Sequence, residues 1–165
     1  MSSSIPEAFK AAVLTVSDSC ARGQRVDLSG PAVSEALRKR GFTVVTSQVV
    51  SDEETAIQES ILQMCASAQL IVTTGGTGIA ARDVTPEATR TLCDRLLDGV
   101  AERMRLKGSE YTPFAALSRG VCGVRGKALI LNLPGNPKGA VQSLESVVEL
   151  LPHALHLLNG VTQHS

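Results

Sequence analysis

The chain has 165 residues, of which 43% are hydrophobic, and its 16 basic and 16 acidic residues cancel to a formal net charge of zero. This length and apolar content suit one domain, residues 1–165, with a sizeable core. With three Phe, one Tyr and no Trp, the chain lacks the aromatic platforms that bind single-stranded nucleic acid, and its balanced charge disfavours polyanions and membrane surfaces.

The cysteines and the N-terminus indicate the cellular compartment. Cys20, Cys65, Cys93 and Cys122 are widely spaced and form no C-x-x-C pair, so we interpret them as reduced thiols and not as a disulfide or zinc framework. Residues Met1–Glu7 have neither a basic nor an apolar stretch, and no segment approaches the roughly 18 apolar residues of a membrane span. We therefore expect a cytoplasmic protein.

Apolar runs alternate with amphipathic stretches in a βαβα order, which favours an α/β fold with a parallel sheet covered on both faces. The predicted elements, in chain order, are a strand near Ala11–Val16, a helix near Gly30–Arg40, a strand at Phe42–Val50, a helix at Glu53–Ala66, a strand at Leu70–Thr74, helices at Pro86–Leu97 and Val100–Lys107, a short helix at Pro113–Leu117, a strand at Ala128–Leu133, and a helix from Gly139 to Leu151.

A glycine-rich turn joins the third predicted strand to the next helix, within Thr73–Glu87. Its glycines permit positive φ and let backbone N–H groups converge on an anion, although a plain chain reversal would use the same residues. Thr85 is a natural N-cap and Pro86 a natural first helical residue, which would place a helix dipole beside the turn. Asp83 then lies outside the helix, without an evident local role, and its carboxylate is free for chemistry.

Two named nucleotide-binding motifs are excluded. Gly76–Ala81 fits the pattern G-x-G-x-x-A, but the helix is expected to start later and no acidic residue ends the next strand to hold a ribose. Gly123–Lys127 is followed by Ala128 and has the wrong spacing for a Walker A loop. The sequence therefore predicts neither a dinucleotide site nor a P-loop.

Polar segments follow four predicted strands, where ligands bind in parallel α/β sheets. We expect them to build one pocket on one rim of the sheet: Ser17–Ser19, Ser51–Glu53, Gly75–Asp83 and Pro134–Pro137.

Two carboxylates could meet on that rim, because Asp52 follows the second strand and Asp83 the third. Paired carboxylates beside a phosphate-binding turn suit Mg²⁺, which takes oxygen ligands and bridges substrate phosphates. Asp52 has an alternative role, since Ser51 and Glu54 could form a capping box around it at the start of a helix.

The sequence allows two roles for each of several other polar residues. Ser17 and Asp18 could bind ligand hydroxyls or phosphate, or simply form a turn. Asn132 could satisfy buried backbone groups or read the edge of a heterocycle. Ser118 and Arg119 could face either solvent or the pocket.

The histidines are not expected to be catalytic. His153 and His156 lie on the last predicted helix, far from the rim, and all three histidines of the chain fall within its last thirteen residues. The sequence shows no Ser-His-Asp or Cys-His relay, which disfavours hydrolysis through a covalent nucleophile.

Several motifs occur along the chain in a specific order, namely Thr15–Cys20, Thr73–Gly78, Arg82–Thr89 and Leu131–Pro137, with Leu117–Arg119 and Cys122–Lys127 between them. In the first four the chain resembles the molybdopterin adenylyltransferase family, and in the last two it is especially similar to the G domain of gephyrin. The resemblance runs from about Ala11 to Leu158, and the matching order of the motifs makes it specific.

The resemblance implies Mg²⁺-dependent transfer of AMP from ATP to the phosphate of molybdopterin, with release of pyrophosphate. It also implies a three-layer α/β/α sandwich, a homotrimer, and a downstream molybdate-inserting enzyme as a partner. The two essential, metal-holding acids of the family fall on Asp52 and Asp83, and Ser51 stands where a proline is often found. The substrate-binding residues of the family fall on Ser17, Asp18, Gly75, Gly76, Thr77, Gly78, Ser118, Asn132, Pro134 and Gly135.

Four other functions compete with AMP transfer, of which a generic nucleotide-binding domain is the weakest. The first is a non-catalytic molybdopterin-binding or assembly module, against which the intact Asp52 and Asp83 argue. Two others are enzymes of the same fold, namely the molybdate-inserting partner or a nucleotide pyrophosphatase related to the competence-damage family. Product analysis separates transfer to molybdopterin from hydrolysis to free AMP.

Overall fold

A six-stranded sheet forms the centre of the molecule in the computed structural model, which describes residues 8–160. Four strands are parallel and two complete the sheet as an antiparallel edge. The strands are β1 (Lys10–Val16), β2 (Thr43–Val50), β3 (Leu70–Thr74), β4 (Arg95–Leu96), β5 (Cys122–Arg125) and β6 (Ala128–Leu133).

Helices connect the strands and cover both faces of the sheet, and none within residues 8–160 is long and apolar enough to cross a membrane. They are α1 (Asp18–Ala21), α2 (Ser29–Lys39), α3 (Glu54–Cys65), α4 (Thr85–Leu92), α5 (Asp98–Gly108), a 3₁₀ helix (Pro113–Leu117), α6 (Pro137–Val147) and α7 (Leu150–Leu158).

The strand order is β2-β1-β3-β6-β5-β4. Strand β3 lies near the centre, with Val72 paired with Val13 of β1 and with Leu131 of β6. Every residue of β3 and β6 is buried, as expected for parallel strands with both faces covered. The predicted α/β class with a mostly parallel sheet is confirmed.

The core consists of two layers, because successive strand residues point to opposite faces. Val13 and Val72 pack on one side with α2, α5, α6 and α7, whereas Leu14 and Ile71 pack on the other side with α3 and α4. Burial of each large aliphatic side chain contributes about 1.5–3 kcal/mol. A core with few aromatic residues therefore rests on many Leu, Ile and Val side chains.

Three parts of the element prediction are wrong. The helix expected over Pro86–Leu97 ends at Leu92, because the chain then turns to form β4, where Asp94 N and Leu97 N donate to carbonyls of β5. The hairpin partner β5 was not predicted, and Gly126 turns it into β6 with φ of 57°. The helix expected from Gly139 to Leu151 is divided between α6 and α7.

Candidate active site

A cavity of about 810 Å³ opens beyond the carboxyl ends of β3 and β6. One wall is the turn Gly75–Gly78, here called the glycine turn, together with Asp83. The opposite wall comes from α5, the 3₁₀ helix and the first turns of α6. The cavity thus lies where parallel sheets bind ligands, at the predicted rim.

The glycine turn requires residues without a side chain. Gly75 and Gly76 have φ of 91° and 68°, values that favour glycine. A Cβ on Gly75 would lie 2.3 Å from the carbonyl oxygen of Val16, and one on Gly76 would lie 2.2 Å from Thr85 Oγ1. The turn is therefore packed tightly against the end of β1 and the start of α4.

Thr85 holds the glycine turn and does not cap the helix. Helix α4 begins at Thr85, its N-cap is Val84, and no side chain caps it. Thr85 is buried, and its Oγ1 donates to the carbonyl oxygen of Gly75 at 2.9 Å. The expected cap at Thr85 is wrong because the hydroxyl group satisfies a carbonyl that water does not reach. Pro86 does lie in the first turn of the helix.

Asp83 has a local role that was not expected. Its Oδ2 accepts a hydrogen bond from Ala80 N at 3.0 Å, which closes the loop after the glycine turn. A Cβ on Gly78 would lie 2.8 Å from the same oxygen. Within residues 8–160, no hydrogen bond reaches Oδ1 of Asp83. One oxygen therefore shapes the loop, and the other is available at the cavity wall.

Asp52 forms hydrogen bonds with the segment that follows β1, and it takes no part in a capping box. Its Oδ2 accepts from Asp18 N at 2.8 Å, and Asp18 Oδ1 accepts from Asp52 N at 3.0 Å. Helix α3 has Glu53 as N-cap, with no side-chain cap bond, so the capping-box alternative is wrong. The physical reason is that Asp18 N opens helix α1 without an intrahelical partner, and Asp52 supplies one.

The two members of this acid pair, Asp18 and Asp52, have opposite electrostatic environments. A bidentate hydrogen bond from Arg82 lowers the pKa of Asp18 below its ordinary value. Burial raises the pKa of Asp52, and the carboxylates of Asp18 and Asp83 raise it further. The environment of Asp52 thus disfavours its ionised form, which a nearby cation would stabilise.

Asp52 and Asp83 are the two carboxylates that could supply ligands to Mg²⁺. Asp83 lies close enough to raise the pKa of Asp52, and a Cβ on Gly76 would lie 3.3 Å from Asp52 Oδ1, so both acids border the glycine turn. No group of three or more potential ligand side chains occurs in the described part of the chain. One or two carboxylates, completed by water and substrate phosphates, is the ligand set typical of Mg²⁺.

Asn132 is fully occupied inside the protein. It is 1% exposed, its Nδ2 donates to Thr73 Oγ1 and Thr89 Oγ1 at 3.0 Å each, and its Oδ1 accepts from Val121 N at 3.1 Å. Of the two interpretations, the geometry favours the structural one, although the residue borders the cavity. The amide connects β6, β3 and α4 beneath the cavity floor.

Ser118 faces the cavity, whereas Arg119 does not line it and bonds instead to the loop that carries Asp83. Ser118 lines the cavity, and its Oγ accepts from Gly120 N at 3.3 Å. Arg119 Nε donates to the carbonyl oxygen of Gly78 at 2.8 Å, and its guanidinium also pairs with Glu87. Arg119 thus joins the segment after the 3₁₀ helix to the glycine turn.

The structure divides the predicted site residues into two groups. Gly75–Gly78, Asp83, Ser118, Asn132, Pro134 and Gly135 line the cavity. Ser17, Asp18 and Asp52 lie behind the glycine turn, where Ser17 Oγ caps α1 by accepting from Cys20 N at 3.2 Å. The single pocket expected from the sequence is therefore a cavity with an adjoining acidic cluster.

The sequence did not indicate the charged and aromatic side chains of the opposite wall. Arg105 and Lys138 bring positive charge to the wall opposite Asp83, and Tyr111 and Phe114 stand at the mouth, 64% and 74% exposed. The signal for the aromatic pair was present, because they are two of only four aromatic residues in the chain. Nothing in the sequence pattern of α5 distinguishes Arg105 from a solvated surface arginine.

The histidines and cysteines lie apart from this chemistry. His153 and His156 belong to α7, and the His156 ring packs edge-on against Phe9 with 4.9 Å between centroids. All four cysteines are free, and burial raises the pKa of Cys93 to about 11 and of Cys122 to about 12. These two thiols stay protonated and unreactive at neutral pH.

Residues 12–153 match the protein family described as "Probable molybdopterin binding domain". The molybdopterin adenylyltransferase of Helicobacter pylori (strain J99) is 43% identical over 152 residues, covering 90% of this chain and 86% of that protein. The molybdenum cofactor synthesis protein cinnamon of Drosophila melanogaster is 41% identical over 155 residues, covering 92% of this chain and 26% of that protein.

Solved structures extend the comparison. The molybdopterin biosynthesis enzyme MoaB from Thermus thermophilus superposes with a TM-score of 0.87 at 52% identity, covering 92% of this chain and 97% of that one. The protein CinA from Thermoplasma acidophilum, with a TM-score of 0.69 and 20% identity over 87% of this chain and 98% of that one, shares the fold alone.

Proposed function

This chain belongs to the molybdopterin-binding domain family of molybdenum cofactor biosynthesis, and from that premise we infer that it is a molybdopterin adenylyltransferase. In this reaction the phosphate of molybdopterin attacks the α-phosphorus of ATP, AMP is transferred, and pyrophosphate leaves. The observation that carries the proposal is that Asp52 lies beside Gly76 and Asp83 beside Gly78 of the glycine turn, next to a large cavity.

Such a transfer depends on positioning and on neutralising charge more than on a covalent catalyst. The amide group of Gly75 donates to the carbonyl oxygen of Leu133 at 3.0 Å, which leaves those of Gly76, Thr77 and Gly78 as donors to phosphate oxygens, because glycine allows a close backbone approach. Arg105 and Lys138 on the opposite wall offset further negative charge. With no histidine or thiol among the described residues that line the cavity, the lining suits phosphoryl chemistry without an enzyme-bound intermediate.

Asp52 and Asp83 would hold Mg²⁺. When bound, this ion polarises phosphoryl oxygens and neutralises the charge on the pyrophosphate leaving group. Asp83, a cavity-lining residue, keeps Oδ1 for the ion, and Asp52 keeps one oxygen beside Gly76. Each acid thus combines one structural hydrogen bond with one oxygen for the ion.

The biological setting follows from the same proposal. We expect the protein to act in the cytoplasm as a homotrimer and to pass its adenylylated product to a molybdate-inserting enzyme. The sequence relatives that are named molybdopterin adenylyltransferases support molybdopterin as the acceptor, and we propose ATP as the donor of AMP.

The test is formation of pyrophosphate and of adenylylated molybdopterin from Mg-ATP, with and without molybdopterin. Asp83→Ala should reduce transfer by about two orders of magnitude or more, on the order of the loss of a metal ligand and its transition-state stabilisation. The matched control is Asp94→Ala, since Asp94 Oδ2 also accepts a backbone N–H, from Gly126 at 2.8 Å, but lies outside the cavity lining.

Each result of this test has a distinct meaning. Transfer that requires molybdopterin and is lost with Asp83→Ala supports the adenylyltransferase. Molybdopterin binding without turnover would instead identify a carrier or assembly module. Release of AMP without molybdopterin would identify a pyrophosphatase.

A further inference from the structure

Arg82 links the loop of Asp83 to Asp52, although Arg82 itself does not line the cavity. It immediately precedes Asp83 in the loop after the glycine turn. Its Nε donates to Asp18 Oδ2 at 3.0 Å and its Nη2 donates to Asp18 Oδ1 at 2.9 Å. Asp18 in turn exchanges two hydrogen bonds with Asp52, each from a backbone N–H to a carboxylate. A continuous chain of hydrogen bonds therefore runs from the loop of Asp83 to Asp52.

The geometry of this chain fixes orientation as well as distance. A bidentate arginine–carboxylate pair locks both planar groups in one arrangement, which a single ion pair does not. Both oxygens of Asp18 are engaged by Arg82, and Oδ1 also accepts from Asp52 N. Asp52 accepts from Asp18 N through Oδ2 alone. The segments after β1, β2 and β3 are thus joined at one point.

The carboxylate of Asp18 is engaged in hydrogen bonds within the protein. Its side chain is 22% exposed, and both of its oxygens are occupied by protein donors. Three of the roughly four acceptor sites of this carboxylate are therefore filled, which leaves little capacity for the ligand-binding role that the family resemblance implies for Asp18. A positioning role uses these hydrogen bonds as they are.

We propose that Arg82 is a positioning residue that, through Asp18, sets the separation and orientation of Asp52 relative to Asp83. The proposal rests on the proposed function, because the two acids matter as a pair only if they bind one ion. Residues that orient metal ligands are often nearly as important as the ligands, and their loss costs about 10–100-fold in metal affinity or activity.

The chain offers a matched control in Arg22. Its side chain lies near Asp18 and contributes favourable charge, but less than Arg82 does, and within the described residues it makes no hydrogen bond to the Asp18 carboxylate. Arg22→Ala therefore removes a neighbouring positive charge and keeps the bidentate pair. Arg82→Lys keeps the charge and removes the fork geometry, and it also serves if Arg82→Ala fails to fold.

The experiment measures the response to Mg²⁺ in two ways on the purified full chain. One is steady-state AMP transfer, with Mg²⁺ titrated at saturating ATP and molybdopterin, and molybdopterin titrated at saturating Mg²⁺. The other is binding of α,β-methylene-ATP, which cannot transfer AMP, measured by calorimetry at a series of Mg²⁺ concentrations. The second readout remains informative if wild type proves not to transfer AMP, so failure of the proposed function is distinguished from failure of the positioning role.

We expect Arg82→Ala to raise the half-saturating Mg²⁺ concentration about 10-fold or more and to lower kcat, with KM for molybdopterin unchanged. Arg82→Lys should be intermediate, and Arg22→Ala should match wild type. The proposal is overturned if Arg82→Ala matches Arg22→Ala in both readouts. It is also overturned if Arg82→Lys equals wild type, since charge alone would then suffice, or if wild type shows no Mg²⁺ dependence.

Discussion

Arg119 Nη2 donates a 2.8 Å hydrogen bond to the main-chain carbonyl of Asp83. The same side chain donates to Gly78 O, and Arg119 N donates to Thr77 O at 2.8 Å. The segment after the 3₁₀ helix therefore fixes the loop from Thr77 to Asp83 from outside, while Ala80 N fixes it from within.

Arg119→Ala should impair both stability and turnover. It leaves the carbonyl groups of Gly78 and Asp83 without their donor, which costs about 1–3 kcal/mol when such groups stay shielded from water. Displacement of Asp83 should lower kcat by about 10–100-fold. Urea unfolding and AMP transfer measure the two effects. Arg95→Ala, which changes an exposed arginine on β4, is the control, and equal kcat in the two variants would contradict the role given to Arg119.

Thr85→Val should destabilise the fold through the glycine turn. The valine side chain has nearly the same shape but leaves the carbonyl of Gly75 without the bond now made at 2.9 Å. We expect a loss of about 1–3 kcal/mol in the free energy of unfolding. Thr85→Ser keeps the hydroxyl group and should lose less. If Thr85→Val and Thr85→Ser were equally stable in denaturant titration, the buried hydrogen bond would make no measurable contribution to the free energy of unfolding.

Phe114→Ala should weaken substrate binding without affecting the fold. The ring is 74% exposed at the cavity mouth, so its removal costs little packing, whereas a planar heterocycle bound there would lose a stacking surface. A rise in KM for molybdopterin on the order of tenfold is expected. Leu106→Ala is matched, because Leu106 is 71% exposed and does not line the cavity. An unchanged KM in Phe114→Ala would place the heterocycle elsewhere.

Asp52→Asn should raise thermal stability at neutral pH while abolishing activity. Burial and the neighbouring acids raise the pKa of Asp52 in the folded state, so the folded chain binds a proton more readily than the unfolded chain. Stability from this group is present below the ordinary pKa of 3.8 and is lost as pH rises through the raised folded pKa. Asparagine stays neutral and avoids that loss.

Melting temperatures of Asp52→Asn and wild type measured from neutral pH down to the ordinary aspartate pKa provide the check. The advantage of the variant should shrink as the pH falls, and Mg²⁺ should reduce it at neutral pH because the ion favours the ionised wild-type carboxylate. A variant less stable than wild type at neutral pH would show that the ionised form is favoured by the fold.

Elements with a clear hydrophobic period were predictable, and contacts between distant segments were not. Strand β3 was predicted with its observed bounds, Leu70–Thr74, because five apolar or β-branched residues end at a glycine. The edge strand β4 has two residues and owes its conformation to pairing with β5, which leaves no local signal.

The candidate site shows the same division. The glycine turn and Asp83 are local features, and sequence reasoning located both. The role of Asp18 depends on Arg82 and Asp52, which lie 64 and 34 residues away along the chain, and the role of Thr85 depends on a carbonyl ten residues earlier. Local propensity favours Thr85 as a cap, yet tertiary hydrogen bonding decides its use.

The cavity has one wall that follows β3, in which every residue is buried, and another that includes the 3₁₀ helix, in which no residue is fully buried. Amide hydrogen exchange should therefore be slowest at the base of the glycine turn and fast in the 3₁₀ helix. A ligand that bridges the walls would slow exchange mainly in the 3₁₀ helix. The substrates would thus bind between a rigid wall, formed by the glycine turn, and a more mobile one that includes the 3₁₀ helix.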